Sequence, residues 1–404
     1  MRKAPPYQLL DACRGIASLW VVVCHACVPF VGSHLEYASI PFYAVSVKGQ
    51  LGVVLFFVIS GYCIVGAAHG ALAAGKTVTK YAFERFRRIY PPYFASGALA
   101  VLMGALLVFA QKHHLVPPSN HTAAHQGIWY WVANLTITQR EMHQPTVLNV
   151  YWTLCYEVVF YVIVGCLLWA ALRIARKKGA DTGLSPLFAG VALCTYLSLG
   201  WLLLAPWECP FPLDRWYQFG LGGLLFLSIA QRDEPREGKF AWLADTRLHL
   251  IAASVLTLCL ACAKPLSMGV NGLTEESVLD QPSSRLQSVV CLVFVGLLWG
   301  LRRHEQRIAH SRAMRPLMLL GAMSYSLYLV HTLVQNYVDA LGRRMGFDGP
   351  LYWITFLVQI LVSLAAGWLF YLGVERRFIS SDARKRLKQE LAPPCSPSAE
   401  HSMV

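Results

Sequence analysis

Leu51-Gly52-Val53-Val54-Leu55-Phe56-Phe57-Val58-Ile59-Ser60-Gly61-Tyr62-Cys63-Ile64-Val65-Gly66-Ala67-Ala68 runs for 18 residues without a charge. Wound into a helix at 1.5 Å per residue it is about 27 Å long, close to the ~30 Å hydrocarbon core of a bilayer. It reads as a membrane span, and the rest of the chain repeats the pattern. Apolar stretches near bilayer length fall at about 9–30, 93–111, 152–172, 187–204, 216–230, 249–263, 287–301, 316–334 and 351–372 as well, the sixth to eighth of the full set being the shortest.

Composition agrees. Of 404 residues, 14% are charged and 56% are apolar, with a mean hydropathy of +0.45. A typical soluble domain is roughly 25% charged, and a globule facing water on all sides cannot hide so much apolar surface. A disordered chain would need low hydrophobicity. The expected fold class is therefore all-α, a polytopic bundle of about ten transmembrane helices.

Charge sets the orientation. With the N-terminus inside, the cytoplasmic segments hold 26 of the 35 Lys and Arg, and no outer loop holds more than two. That is the positive-inside pattern, and it places both termini in the cytoplasm. It also accounts for the net charge of +13 without a nucleic-acid partner. Arg2 and Lys3 before an apolar run resemble a signal peptide, but Asp11, Arg14 and His25 interrupt that run, so an uncleaved first helix is expected. Residues 1–378 form one membrane-embedded domain. Residues 379–404 form a basic, then Pro- and Ser-rich cytoplasmic tail that meets anionic membrane lipids.

The twelve cysteines lie mostly inside apolar runs and outline no disulfide framework. The Cys259-x-x-Cys262 pair is in such a run, where small hydrophobes are common. The outer loop at about 112–150 holds His113, His114, His121, His125 and His143, but no acidic or Cys partner at ligand spacing, so no metal is expected.

Ionisable groups at membrane depth are expensive and mark function. Arg14 and His25 share the first helix. Eleven residues bring them to one face about 16 Å apart, with Arg14 toward the cytoplasm and His25 in the outer third. Asp11 stands one turn before Arg14 and is placed to pair with it. Glu157, at the outer start of the fourth span, and His331, near the outer end of the ninth, come to a depth similar to that of His25. A carboxylate beside an imidazole would fix its tautomer and raise its basicity, as general-base chemistry requires. The competing reading makes Arg14 an interfacial residue and the two histidines interhelical hydrogen-bonding groups. On the cytoplasmic side, Arg85 and Arg88 are neighbours on one helix face among Tyr81, Phe83, Phe86 and Tyr90. Guanidinium forks there suit phosphates, either of a ligand or of lipid head groups.

Together these residues resemble the integral-membrane acyltransferase type 3 family, over about residues 7–378 and in family order. Arg14 and His25 match its Arg-x10-His, within Leu10-Asp11-x-x-Arg14-Gly15. Gly52 to Tyr62 is similar to its second-helix signature. Arg85-x-x-Arg88 with Ile89-Tyr90-Pro91, Trp152-Thr153-Leu154-x-x-Glu157-x-x-Phe160-Tyr161, Ser324-Tyr325-Ser326-Leu327-Tyr328-Leu329-x-His331 and Glu375-Arg376 match the remainder. Val54 stands where many members carry an acidic residue, so that carboxylate's role is absent here or supplied elsewhere.

The resemblance implies a bacterial inner-membrane O-acyltransferase. Its co-substrate is cytoplasmic acyl-CoA, most often acetyl-CoA, with no permanently bound cofactor. Its acceptor is a surface glycan or the lipid-linked precursor of one. Arg85 and Arg88, with Arg14, would hold the donor phosphates. His25 would be general base or transient acyl carrier, Glu157 its partner, and Ser60 and Tyr161 oxyanion donors, with His331 in the substrate site. A proton-coupled secondary transporter using His25 and Glu157 as a relay is the alternative from another class. A non-catalytic assembly scaffold would not need His25 at membrane depth.

Overall fold

The computed structural model describes residues 7–33, 40–113, 127–178, 184–230, 245–263, 284–347 and 351–379. Among these residues there is no strand, and the long helices form one bundle. The helices are α1 (Leu9–Ser33), α2 (Pro41–Ser46), α3 (Gly52–Ala73), α4 (Val78–Lys112), α5 (Ile128–Thr136), α6 (Trp152–Lys178) and α7 (Leu184–Leu204). They continue as α8 (Leu213–Ala230), α9 (Thr246–Cys262), α10 (Ser284–Leu301), α11 (Glu305–Ala309), α12 (Arg315–Ala322), α13 (Ser324–Arg344) and α14 (Tyr352–Phe370). Six helical segments are long and apolar enough to cross a bilayer, and α12 with α13 makes a seventh as a bent pair. The expected spans at 216–230, 249–263 and 287–301 appear as α8, α9 and α10, and none of the three is among those crossing helices.

Glycine lets the central helices touch backbone to backbone. A Cβ added to Gly61 of α3 would overlap the carbonyl oxygen of Phe219, and one on Gly222 of α8 would overlap that of Val58. The same reciprocity joins α1 to α12, where Gly15 lies against the Leu317 carbonyl and Gly321 against that of Asp11. Without a hydrophobic drive between helices in lipid, such close approach is a main source of association. It also fixes where α1 and α3, and hence Arg14 and Ser60, stand.

Two expectations are revised. The span read at 316–334 is not one rod: α12 and α13 meet at 67°, across Met323 with φ −101° and ψ 8°. Hydropathy follows apolar content and is blind to this bend, which arises because α12 is held against α1 while α13 packs on α14. The outer loop at 112–150 is not all loop either. It holds α5, tied down where Tyr93 Oη donates to Asn134 O at 2.7 Å and Gln139 Nε2 to Asn134 Oδ1 at 3.0 Å.

Helix α4 is 35 residues long, so it carries the arginine cluster continuously into the bilayer. Outside the spans, Glu305 Oε2 accepts from Gln8 N at 3.0 Å, and burial pushes its carboxyl above the usual range.

Candidate active site

Five helices, α1, α3, α4, α6 and α13, converge on a cavity of about 80 Å³. Its polar lining is Arg14, Ser60, Arg88, Thr153, Glu157, Ser324, Tyr325 and Tyr328. Pockets that enclose a whole drug-sized ligand run to about 300–1,000 Å³, so this cavity takes only part of a large one.

Arg14 behaves as its spacing requires. Its Nη1 donates to Asp11 Oδ1 at 2.7 Å and Nη2 to Cys63 Sγ at 3.1 Å. Glu157 Oε1 accepts from Tyr161 Oη at 2.8 Å and from Ser60 Oγ at 3.4 Å. Each hydroxyl has one proton, and both protons point at the carboxylate. Ser60 and Tyr161 thus both donate to Glu157 in this arrangement.

Among the described residues, His25 makes no hydrogen bond or ion pair with Glu157. Its Nδ1 lies 3.0 Å from Val21 O, and its ring meets that of His331 edge-on, with centroids 5.0 Å apart at 79°. Counting residues along α6 sets Glu157 level with His25, but in the packed bundle it lines the cavity with Arg14 and Arg88. The task expected of Glu157 falls to a backbone group instead. A carbonyl can only accept, so Nδ1 of His25 is the donor, and in the neutral ring Nε2 keeps its lone pair. His331 is held likewise, with Nδ1 2.9 Å from Tyr328 O and 3.1 Å from Leu327 O, and it is fully buried. Two imidazoles thus stand together, each with Nε2 in its basic form.

Tyr328 joins the two halves. It lines the cavity, its hydroxyl lies 2.7 Å from Thr153 Oγ1, and its ring centroid is 5.9 Å from that of His331.

The Arg85-x-x-Arg88 pair divides. Arg88 lines the cavity, whereas Arg85 lines an apolar groove between α4 and α6, with its guanidinium 6.0 Å from the Tyr161 ring. Residues three apart are rotated 60° from eclipsed, enough to send the two side chains to different hollows, with Ile89 lining both.

Thr153, Ser324, Tyr325 and Tyr328 line the cavity without having been singled out as its members, and Glu375 adjoins it. Glu375 is buried, accepts from Ser326 N at 3.0 Å and from Ser326 Oγ, and lies within electrostatic reach of Arg88 and Arg14. A π-helical turn over Tyr371–Glu375 carries it. Such turns recur at functional sites. A carboxylate closing an apolar run was the available signal.

Among the described residues, no group of three or more His, Cys, Asp and Glu is placed to hold a metal ion; His114, His121 and His125 lie outside them. The described cysteines are all free.

A family model described as an acyltransferase domain matches residues 7–372. The chain belongs to the acyltransferase type 3 family. Comparison with curated proteins and with solved structures gives no match. As a member of this family with a multi-pass helical bundle, the protein is a membrane acyltransferase, and the cavity and the histidine pair lie inside the matched region.

Proposed function

We propose that this acyltransferase moves an acyl group, acetyl in the first instance, from cytoplasmic acyl-CoA to a hydroxyl of a surface glycan or its lipid-linked precursor in a bacterial inner membrane. The observation that carries the reading is the 3.0 Å contact between Nδ1 of His25 and the Val21 carbonyl, an oxygen that can only accept. A histidine about 16 Å above a cytoplasmic-side arginine, with Nδ1–H held by a carbonyl, has a basic Nε2 ready for an acyl carbon or a hydroxyl proton. Arg88 and Arg14 hold donor phosphates at the mouth of the cavity, and the thioester arm passes Tyr328 to reach His25. Family membership makes acyl transfer, rather than proton-coupled transport, the activity assigned to the pair.

In direct transfer, the acceptor hydroxyl gives its proton to Nε2 of His25 as its oxygen bonds to the thioester carbon. The C–S bond then breaks, and the leaving thiolate takes the proton from the imidazolium. In the covalent route, Nε2 attacks first, the thiolate leaves, and the hydroxyl displaces the imidazole from the acyl carbon, its proton passing to the thiolate. Both routes end with an ester and a free thiol.

The test is purified protein in liposomes with radiolabelled acetyl-CoA and glycan-bearing membrane lipid extract. Label should reach the lipid or glycan fraction. His25→Ala, an apolar change that leaves insertion intact, should lower kcat by about 10²- to 10⁴-fold. Full transfer by His25→Ala at matched protein would refute the assignment.

A further inference from the structure

Beyond the cavity, polar side chains crowd the seam where α13 and α14 pack on α1. His331, Thr332, Gln335, Asp339 and Gln359 are all more than nine-tenths buried. Each has one polar atom without a hydrogen-bond partner: Nε2, Oγ1, Oε1, Oδ1 and Oε1 respectively. Buried polar groups are nearly always satisfied, so a row of exceptions in one place calls for a ligand.

The row is continuous with the histidine pair. His331, Gln335 and Asp339 follow one another every fourth residue on α13, rising about 12 Å along it. Gln335 Nε2 donates to Val22 O at 2.9 Å. On α14, Gln359 Nε2 donates to the Tyr352 hydroxyl at 3.4 Å, and that hydroxyl donates to Ala26 O at 2.5 Å. The seam therefore brackets His25 from Val22 to Ala26, and Asp339 lies within electrostatic reach of Tyr352.

The hydrogen bonds also define the chemistry of the unmet atoms. Val22 O can only accept, so the nitrogen of Gln335 must face it and the oxygen is left over. The Tyr352 proton goes to Ala26, so this hydroxyl accepts from the Gln359 nitrogen, and again the oxygen remains. Asp339 Oδ2 is taken by Arg343, leaving Oδ1. Nδ1 of His331 is bonded to carbonyls, leaving the Nε2 lone pair. Four of the five orphan atoms are acceptors with no donor of their own, and the fifth is a hydroxyl. Their complement is a molecule rich in O–H donors.

We infer that this seam is the acceptor half of the active site and takes a polyhydroxylated molecule, whose hydroxyls pair with Gln335, Asp339 and Gln359 while one reaches Nε2 of His25. The inference rests on the acyltransfer reading for that last step, which proceeds as written above, and on the seam alone for binding. The seam runs along α13 away from the Ser324–Tyr328 end that lines the arginine cavity, which leaves the donor and acceptor to meet at the histidine pair from opposite ends.

Gln359→Cys tests it in the full chain in nanodiscs, with Cys166, Cys259, Cys262 and Cys395 replaced by serine. A small water-soluble methanethiosulfonate should label Gln359→Cys roughly tenfold faster than Leu361→Cys, which is 65% exposed on the apolar outer side of α14. Octyl glucoside below its micellar concentration should slow that labelling, and sodium chloride should not. Labelling no faster than at Leu361→Cys, labelling that the glucoside leaves unchanged, or protection by sodium alone each overturns the inference, whether or not the protein transfers acetyl groups. In the transfer assay with octyl glucoside as acceptor, Gln335→Leu and Gln359→Leu should raise its KM roughly threefold to tenfold and leave the KM for acetyl-CoA unchanged. Labelling and protection without any transfer would uphold the polyol site and count against the acyltransfer reading instead.

Discussion

Glu157→Gln separates what residue spacing implies about this carboxylate from what the packed helices show. If Glu157 were the ionised partner of His25, the variant would shift the pH dependence of activity. The geometry gives it other work: Oε1 holds the hydroxyls of Tyr161 at 2.8 Å and Ser60 at 3.4 Å. A hydrogen bond to a charged group contributes about 1.5–3 kcal/mol and a neutral one about 0.5–1.5 kcal/mol, so exchanging carboxylate for amide weakens the Tyr161 contact by roughly 1–1.5 kcal/mol. At 1.4 kcal/mol per decade, that is a fivefold to tenfold fall in kcat/KM if the cavity wall must be held for turnover. Gln keeps the volume and an acceptor oxygen, so folded yield should match the parent. Tyr161→Phe removes the same bond from the other side. The double variant should therefore lose little more than the worse single variant, a coupling energy of about 1 kcal/mol. The assay is kcat/KM for acetyl-CoA from about pH 5.5 to 9, bracketing the ~6.5 reference pKa of imidazole, for the parent, both single variants and the double. Parallel pH profiles with coupled losses are expected. A displaced profile in Glu157→Gln, or coupling below about 0.3 kcal/mol, would refute the reasoning.

The divided arginines should respond differently: Arg88→Ala should raise the KM for acetyl-CoA roughly tenfold with a smaller change in kcat, as loss of a charge-assisted contact to phosphate predicts, while Arg85→Ala should change it less than about threefold. Equal effects would return Arg85 to the donor site. Gly321→Ala should lower the thermal midpoint in detergent and the yield of folded protein, because its Cβ would overlap the Asp11 carbonyl, and backbone yields less readily than a side chain; an unchanged midpoint would mean that α12 does not dock on α1 as described. Glu305→Gln should change how stability depends on pH. The folded carboxyl titrates above its ordinary value, so its protonated form favours the folded state; that stability is full below the unfolded pKa and is lost as pH rises through the window between the unfolded and folded values. The variant should be at least as stable as the parent at pH 7, with the difference closing toward acid, and a difference that widens toward acid would contradict the burial of this carboxyl.

Much of the site was legible because some chemistry is local to one helix. Asp11 and Arg14 pair as their spacing of three requires. Arg14 and His25 share α1, and helical rise alone sets their separation. Apolar run length identified the six helices long and apolar enough to cross, since a bilayer demands a minimum stretch whatever the neighbouring helices do. The Gly52 to Tyr62 run brings Ser60 to the cavity on a helix whose identity no tertiary contact could change.

Partnership between helices was decided only by the fold. Depth counted along α1 and α6 put His25 and Glu157 level, yet in the packed bundle Glu157 meets Ser60 and Tyr161 while His331 meets His25. The 67° break at Met323 has the same origin: hydropathy sums over a span and carries no direction. Glu375 and the orphan acceptors of Gln335 and Gln359 become meaningful only once α13 and α14 are seated on α1, because an unmet hydrogen bond is a property of surroundings rather than of a residue. Composition and helical period are set by neighbours along the chain and so can be read from it. Which lone pair faces which proton depends on rotations and tilts of a few ångströms between elements far apart in sequence, and the packed bundle alone determines those.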